Sequence, residues 1–278
     1  WTWLGAPLLR QPHSSDRRGG CSTVRRSRLD QRLDLDLAGT RKHQRQLDLV
    51  ADPDRAIPLR SIEGFVRQLL GWREFMRHVY RRGMPGLRTA NQLGATAPLP
   101  DFYWSGETRM RCVGEAVRSV VETGHAHHIQ RLMVLGNWAL LAGIEPRAVT
   151  DWFHELFVDA FDWVVSPNVL GMSQYADPSF TSKPYLAGGG YLSRMSDHCR
   201  HCPYDPRRSV GDDACPFSTL YWDFVDRHER LLAANQRTGT VAASWRKRDE
   251  AAKEEIRERA REVRAMAAAG AIRAALVA

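Results

Sequence analysis

Residues 58–77 read PLRSIEGFVRQLLGWREFMR, and this stretch carries the pattern that decides the fold. Its apolar side chains recur every three or four positions, which is the spacing of one face of an α-helix. The same spacing continues as far as Val79. Alternating β-type patterns are almost absent throughout the chain, so the sequence predicts an all-α fold. Further helices are predicted at 108–122, 125–142, 146–163 and 216–235.

The composition changes on either side of the predicted helical domain, residues 58–237. Residues 1–57 are rich in Arg, Asp, Ser and Gly with little apolar periodicity, so we expect a disordered or unrelated basic segment. Residues 238–278 alternate in charge sign at helical spacing, which predicts a solvated, charged helical tail. Within the domain, residues 166–215 are rich in Gly and Pro, and a long irregular region of this kind is usually functional.

The chain has 278 residues, with 40 Lys and Arg against 32 Asp and Glu. This positive charge fits an anionic partner such as nucleic acid, although net charge bears on association and not on fold. No segment approaches the roughly 20 apolar residues that span a bilayer, and the start lacks a signal-peptide pattern. We therefore expect a cytoplasmic monomer without membrane contact.

Four of the five cysteines fall in the helical domain and suggest a metal centre. Clustered cysteines in a cytoplasmic protein are more often metal ligands than disulfides, and a C-x-x-C pair can reach one centre from a single turn. His198 and His201 are alternative ligands. Spacing alone leaves zinc, an iron-sulfur cluster and unligated thiols open, and it favours zinc. The four cysteines are Cys112, Cys199, Cys202 and Cys215.

Several short motifs, taken in their order along the chain, resemble the photolyase/cryptochrome family, and within it the bacterial branch with an iron-sulfur cluster. The resemblance spans residues 58–237 and implies the helical FAD-binding domain of that family. The motifs are Gly71-Trp-Arg-Glu-Phe-Met-Arg77, Asp101-Phe-Tyr-Trp104, His125-Ala-His-His-Ile-Gln-Arg131, Trp152-Phe153 leading to Asp159, Pro167-Asn-Val-Leu-Gly-Met172 and Ser182-Lys-Pro-Tyr185.

The resemblance changes the metal assignment from zinc to a [4Fe-4S] cluster bound by the four cysteines. It also implies a U-shaped FAD close to Arg73, with Asn168 at the reactive edge of the flavin ring. Arg131 would lie over the flavin or pair with Asp159 or Asp162. All five residues are therefore expected to contribute to cofactor binding.

Damaged DNA is the partner that the resemblance implies. His127 and His128 match the histidine pair that faces the lesion, Tyr185 matches a lesion-facing tyrosine, and Gln68 and Trp72 would lie near the lesion pocket. Histidine suits this role because its side chain can hold or release a proton near neutral pH. Neighbouring helix positions point about 100° apart. We therefore expect one of the pair, His128, to act directly.

Trp104 and Trp152 match members of the family's electron-transfer route from the surface to the flavin. The sequence departs from the family at Phe153, where tyrosine is expected, and at Val165, where an acidic residue is expected. Neither the α/β antenna domain nor the segment that cradles the FAD phosphates is recognisable before Pro58. We therefore expect the antenna domain and its chromophore to be absent.

The resemblance implies a DNA photolyase, if FAD is retained. Such an enzyme repairs (6-4) pyrimidine photoproducts in light by electron transfer from reduced FAD, and this chain would be a truncated, impaired copy. One alternative is a blue-light-sensing cryptochrome without repair. Another is a non-catalytic, metal-bearing DNA-binding remnant. Flavin absorption separates the first two functions from the third, and a repair assay separates the first from the second.

Overall fold

The structure is a computed structural model that describes residues 58–270, apart from the side chain of Leu69. The predicted disordered segment, 1–57, and the end of the predicted tail lie outside this range. Between residues 58 and 270 the chain forms helices and turns and no β-strand, which confirms the all-α prediction. Backbone pairing of β type is limited there to two isolated bridges, Ala97 with Ile144 and Asp205 with Ala214.

Twelve α-helices, interrupted by π-helical and 3₁₀ segments, build the described range. The α-helices are α1 (Leu59–Val66), α2 (Glu74–Gly83), α3 (Phe102–Ser105), α4 (Arg111–Thr123), α5 (Asn137–Ala142), α6 (Pro146–Leu156), α7 (Asp162–Ser166), α8 (Gly189–Met195), α9 (Pro216–Arg227), α10 (Glu229–Ala233), α11 (Gly239–Arg246) and α12 (Glu250–Ala268). The π-helical segments are Arg67–Arg73, Gln130–Gly136 and Pro167–Ser173, and the 3₁₀ turns are Gly86–Thr89 and His198–His201.

The helical run 130–142, formed by a π-helical segment and α5, lies at the centre of the core. Leu135, Trp138 and Leu141 on this run are fully buried. Gly136 allows the third π-helical segment to come close, because a Cβ atom there would overlap the hydroxyl of Ser173. The absence of a side chain at this position therefore sets how closely the two segments pack.

The helix predicted at 146–163 ends at Leu156, so its single-helix prediction is wrong. Phe157 has extended backbone and is buried in the core, where its ring stacks on Phe153 at 4.9 Å. The next amide, of Val158, donates to the carbonyl of Gly124 at 3.0 Å. This bond to a distant turn pulls the chain off the helix axis. Helix resumes at α7.

The Gly/Pro-rich region 166–215 contains more helix than its composition predicts. Pro167 continues the helix of α7 into the third π-helical segment, with helical backbone angles at both Ser166 and Pro167. The region also contains α8 and a 3₁₀ turn. The irregular stretch 174–188 is anchored by the buried amide of Asn137, which donates to Ala187 O at 2.7 Å and accepts from Ala187 N at 3.1 Å.

The end of the described chain packs on the core, so the expectation of a solvated tail is wrong for one face of α12. Ile256, Ala260 and Val263 on α12 are at most 1% exposed and belong to the main hydrophobic cluster. The opposite face of α12 is charged, as the sequence predicts. The alternating charges hid this apolar face in the sequence pattern, because part of the face consists of alanines, which are small and only weakly apolar. The helix predicted at 216–235 is also interrupted, at His228.

Among the described helices, none is both long and apolar enough to cross a lipid bilayer.

A pair of glycine substitutions tests the packing of the central run. Gly136→Ala should lower the free energy of unfolding by about 1–3 kcal/mol, because the new methyl group would overlap Ser173 and lie 3.0 Å from Arg131 O. Gly64→Ala is the matched control, since a Cβ there meets nothing within 4 Å and alanine favours helix. Urea denaturation followed by circular dichroism measures both, and equal effects would contradict the close approach.

Candidate active site and metal centre

Each π-helical segment carries one residue that the sequence predicts to contact the cofactor. Arg73 ends the first segment, Arg131 is the second residue of the next, and Asn168 is the second residue of the last. The first segment leads into α2, which packs on α7 and on the third segment, and the second and third segments also touch. Wide helical turns of this type are rare and are frequently found at functional sites. The three predicted residues therefore share an unusual backbone conformation, the π-helix.

Arg131 and Asp159 form a two-pronged ion pair. The two terminal nitrogens of Arg131 donate to the two carboxylate oxygens of Asp159 at 2.9 and 3.0 Å. Its Nε donates to Ala126 O at 2.8 Å, and its guanidinium lies 4.3 Å from the centre of the Phe157 ring. The sequence predicted Asp159 or Asp162 as partner, and the geometry selects Asp159. Asp159 therefore fixes the orientation of the Arg131 guanidinium.

Asp162 is the centre of a second polar network. It accepts from Tyr80 Oη at 2.6 Å, from Arg88 at 2.6 Å and from Ser166 Oγ at 2.5 Å, and the His154 ring lies 3.5 Å away. Burial by itself raises the carboxyl pKa, but these hydrogen bonds outweigh burial and hold the pKa below its usual value. The sequence missed Tyr80 and Arg88, since neither belongs to a recognised motif.

Trp163, beside Asp162, was also not predicted from the sequence as a site residue. The guanidinium of Arg73 lies 5.1 Å from the centre of the Trp163 ring, and that of Arg77 lies 5.9 Å from it. Two cationic side chains, one from the first π-helical segment and one from α2, therefore contact an aromatic ring on α7. Asn168, one turn later, donates its amide to Val164 O at 2.7 Å. Its side-chain oxygen keeps its capacity to accept.

The two predicted lesion histidines have different surroundings. His127 begins the helix, because its Nδ1 accepts from the amide of Ile129 at 3.2 Å and its own amide donates to Gln130 Oε1. His128 is exposed. Loss of hydration, then the nearby Arg131 and His127, lower the pKa of His128. His127 thus caps the start of this helix, and the chemical role of the histidine pair stays a prediction.

The remaining lesion-site predictions are spread over two segments. Trp72 is half-buried and its ring lies 6.1 Å from those of Phe75 and Phe180, which stack on each other at 5.6 Å. Gln68, one turn earlier, is exposed, and Tyr185 is half-buried in the irregular stretch that also holds Phe180. Phe180, which the sequence missed, therefore joins the helix of Gln68 and Trp72 to the loop of Tyr185.

The two tryptophans predicted to transfer electrons differ in how exposed they are. Trp152 is 1% exposed, and its Nε1 donates to Tyr103 O at 2.8 Å. Its ring meets those of Tyr103 and Phe153 edge to face at 5.2 Å each. Trp104 is 46% exposed on α3, next in sequence to Tyr103. Tyr103 is therefore an aromatic side chain that connects the buried tryptophan to the helix of the exposed one.

The four cysteines predicted to bind a cluster line one cavity. Cys112 and Cys215 are buried, whereas Cys199 and Cys202 are half-buried. His198, one of the alternative ligands, is also in the wall, and His201 is not. The other lining residues, which the sequence missed, are apolar or aromatic: Met110, Leu192, Tyr204 and Phe217. Within residues 58–270, no three His, Cys, Asp or Glu side chains have the close arrangement that a single metal ion needs.

Helix ends bring positive potential to this cavity. Cys112 is the second residue of α4, and Cys215 immediately precedes α9. The amides of Phe217 and Ser218 approach Cys215, and that of Val113 approaches Cys112. Burial still raises the pKa of Cys215 to about 12 and that of Cys112 well above its ordinary value. Cations bound in the cavity would lower these pKa values and convert the thiols to thiolates.

The loop that carries Cys199 and Cys202 is fastened to the start of α9 by Ser218. Its hydroxyl accepts from Gly189 N at 3.1 Å and donates to Pro206 O at 2.8 Å. Gly189 fits because a Cβ atom there would lie 2.6 Å from this hydroxyl and 2.8 Å from Pro206 O. The close contact holds the loop so that its cysteines face Cys112 and Cys215.

Comparison with known proteins gives two relatives, and no family model matches the chain. A protein of Agrobacterium fabrum described as a (6-4) photolyase is 47% identical over 204 residues, which are 73% of this chain and 40% of the relative. An uncharacterized protein of Acanthamoeba polyphaga mimivirus is 36% identical over 94 residues, 34% of this chain and 69% of that protein. This chain thus spans less than half the length of the first relative.

The Asp162 network should make stability depend on acid pH. Because the folded carboxyl has a lowered pKa, its contribution is present above pH ~4 and is lost as the pH falls through the folded pKa. Asp162→Asn should therefore lower stability by about 1 kcal/mol at pH 7 and less at pH 3. Thermal denaturation between pH 3 and 7 measures this difference.

Asp151→Asn is the matched control for that series. Asp151 forms an ion pair with Arg147 at 3.7 Å in which both side chains are mostly exposed, so its removal should change stability little at any pH. A difference between wild type and Asp162→Asn that stays constant from pH 7 to pH 3 would show that charge is not what the network uses.

Proposed function

Because this chain belongs to the bacterial photolyase/cryptochrome family and corresponds to its C-terminal part, we propose that it acts in light-driven repair of (6-4) pyrimidine photoproducts in DNA. The relative described as a (6-4) photolyase supports the substrate class. The observation that carries the proposal is that Arg73, Arg131 and Asn168 each lie in a π-helical segment of neighbouring helices. Such backbone is typical of a site built for a ligand.

FAD fits the side chains of this region. The free acceptor of Asn168 suits the ring N–H groups of a flavin, and the exposed Arg73 offers a positive charge to an anionic cofactor. Arg131 is held rigidly by Asp159, so it can position a ring without losing side-chain entropy. When bound, reduced FAD would supply under blue light the electron that the lesion takes up and later returns.

His128 is proposed to move the proton that opening of a (6-4) lesion requires. A nucleotide must leave the base stack to reach an enzyme pocket, and Trp72, Gln68 and Tyr185 would surround it. His128 is neutral near pH 7 in the free protein because its pKa is lowered. Approaching DNA phosphates would favour its protonated form and so prepare it to donate.

His128→Ala should lower light-dependent repair by about 100-fold or more, which is the usual effect of removing a proton-transferring group. His125→Ala is the matched control from the same segment and should stay within about threefold of wild type. The purified chain is mixed with an oligonucleotide that contains one (6-4) lesion, and repair is followed after illumination. Flavin absorption and DNA binding are measured in parallel, so a loss of either is distinguished from a loss of chemistry.

A [4Fe-4S] cluster is the metal centre that we propose for the cysteine cavity. Four cysteines are the usual ligand set of such clusters. The helix N-termini at Cys112 and Cys215 favour an anionic centre, and the apolar wall excludes water from it. The cluster would join α4, the loop and α9, so its proposed role is structural.

Removal of one buried ligand should abolish metal binding. Cys112→Ala or Cys215→Ala should reduce bound iron from about four atoms per chain to less than one and should lower the melting temperature. Cys21→Ala, which alters the cysteine outside the predicted helical domain, should keep the full iron content. Iron and zinc are measured in anaerobically purified protein by elemental analysis. A stoichiometric content of zinc instead of iron would overturn the cluster assignment.

A non-catalytic, metal-bearing DNA-binding role is the second candidate. It is favoured by Phe153, which stands where tyrosine is expected and is far harder to oxidise than tyrosine. Iron without flavin absorption, combined with retained DNA binding, would select this role. Flavin without repair would select blue-light sensing.

A further inference from the structure

A pocket of about 270 Å³ lies where four parts of the chain meet. It is bounded by residues 93–97, the end of α5, the end of α9 and one residue of α12. The segment 93–97 is fixed in place, because Ala97 N donates to Gly143 O at 3.0 Å and Ala97 O accepts from Glu145 N at 2.9 Å. None of its lining residues belongs to the cysteine cavity or to the predicted flavin and lesion site.

The charged side chains that line this pocket are both cationic. They are Arg227 and Arg264, and His228 is the other titratable group in the wall. Burial, then the nearby Arg227, lower the pKa of His228 to about 4, so its ring is uncharged at neutral pH. The lining therefore has two positive charges and no negative one.

A buried carboxylate behind the wall holds both arginines. Asp223, 4% exposed, accepts from Arg264 at 2.7 and 3.1 Å and from Arg227 Nε at 2.8 Å. One carboxylate neutralises one guanidinium, so an excess positive charge remains at the pocket. The carbonyl of Leu141, at the negative end of α5, accepts from Arg227 Nη2 at 2.7 Å and offsets part of that excess.

Both guanidinium groups have donors beyond these bonds. Arg264 gives two of its five N–H groups to Asp223, and Arg227 gives one to Asp223 and one to Leu141. Arg227 Nη1 lies 3.4 Å from His228 Nε2. Two arginines held by a shared carboxylate are pre-organised, which lowers the entropy lost when they bind an oxyanion.

We propose that this pocket binds the phosphate group of a small molecule through Arg227 and Arg264. Leu93 and Leu140 form apolar walls on which an organic body would lie, and the exposed Thr96 marks the rim. The volume is near the lower end of the usual range for ligand pockets, which limits the ligand to metabolite size. The inference is independent of the flavin and of the cluster.

The test uses a residue at the rim that takes no part in the Asp223 network. Thr96→Glu places a negative charge at the pocket and should weaken phosphate binding at least about fivefold, whereas Thr96→Gln, of similar size and uncharged, should change it less than about twofold. Both side chains project from an exposed position, so folding should be retained. Calorimetric titration of the full chain with inorganic phosphate, at constant ionic strength set with chloride, gives the affinities.

Two further titrations identify the source of the phosphate. Tighter binding of adenosine monophosphate than of inorganic phosphate would show that the organic body contributes, and equal affinity would show that the oxyanion alone is recognised. Adenosine without phosphate should not bind. The proposal is overturned if wild type binds phosphate no more tightly than about 5 mM, if adenosine binds as well as its monophosphate, or if Thr96→Glu and Thr96→Gln behave alike.

Discussion

The two hydrogen bonds between the side chain of Asn137 and the backbone of Ala187 are the interaction on which the architecture depends. A buried amide group that lost one of these partners would remain without solvent, at a cost of about 1–3 kcal/mol. The pair fixes the end of the irregular stretch 174–188 against the central helical run. The loop with Cys199 and Cys202, which comes later in the chain, therefore begins from a defined point.

The described range also contains two different electrostatic environments. At the start of the central run, Arg131 joins the polar side, where carboxylates are paired with arginines and tyrosine. Elsewhere, α4 and α9 bring Cys112 and Cys215 into an apolar cavity, to which the N-terminal ends of these two helices contribute polarity. Charge on the polar side is balanced by side chains, whereas charge in the cavity would be balanced by backbone dipoles. The two regions therefore differ in how they would stabilise a bound charge.

Helical periodicity was sufficient to predict the all-α fold, and C-x-x-C spacing was sufficient to place Cys199 and Cys202 in one loop, because both patterns are local. The roles of the motif residues stay predictions. Local patterns failed where a distant contact decides the outcome. The break after Leu156 depends on the bond from Val158 to Gly124, and the partners of Asp162 come from Tyr80 and Arg88, more than seventy positions away. The buried face of α12 was hidden by its charges. No local signal in the sequence distinguishes the π-helical segments from ordinary helix.

The contact between Gly189 and Ser218 limits which sequences can keep the cysteine cavity. Gly189 tolerates no side chain without displacing Pro206 or the hydroxyl of Ser218, so almost every substitution there would loosen the cysteine loop. A related sequence can therefore keep all four cysteines and still lack the loop geometry that brings them to one cavity, and the residue at position 189 is where this loss would be visible.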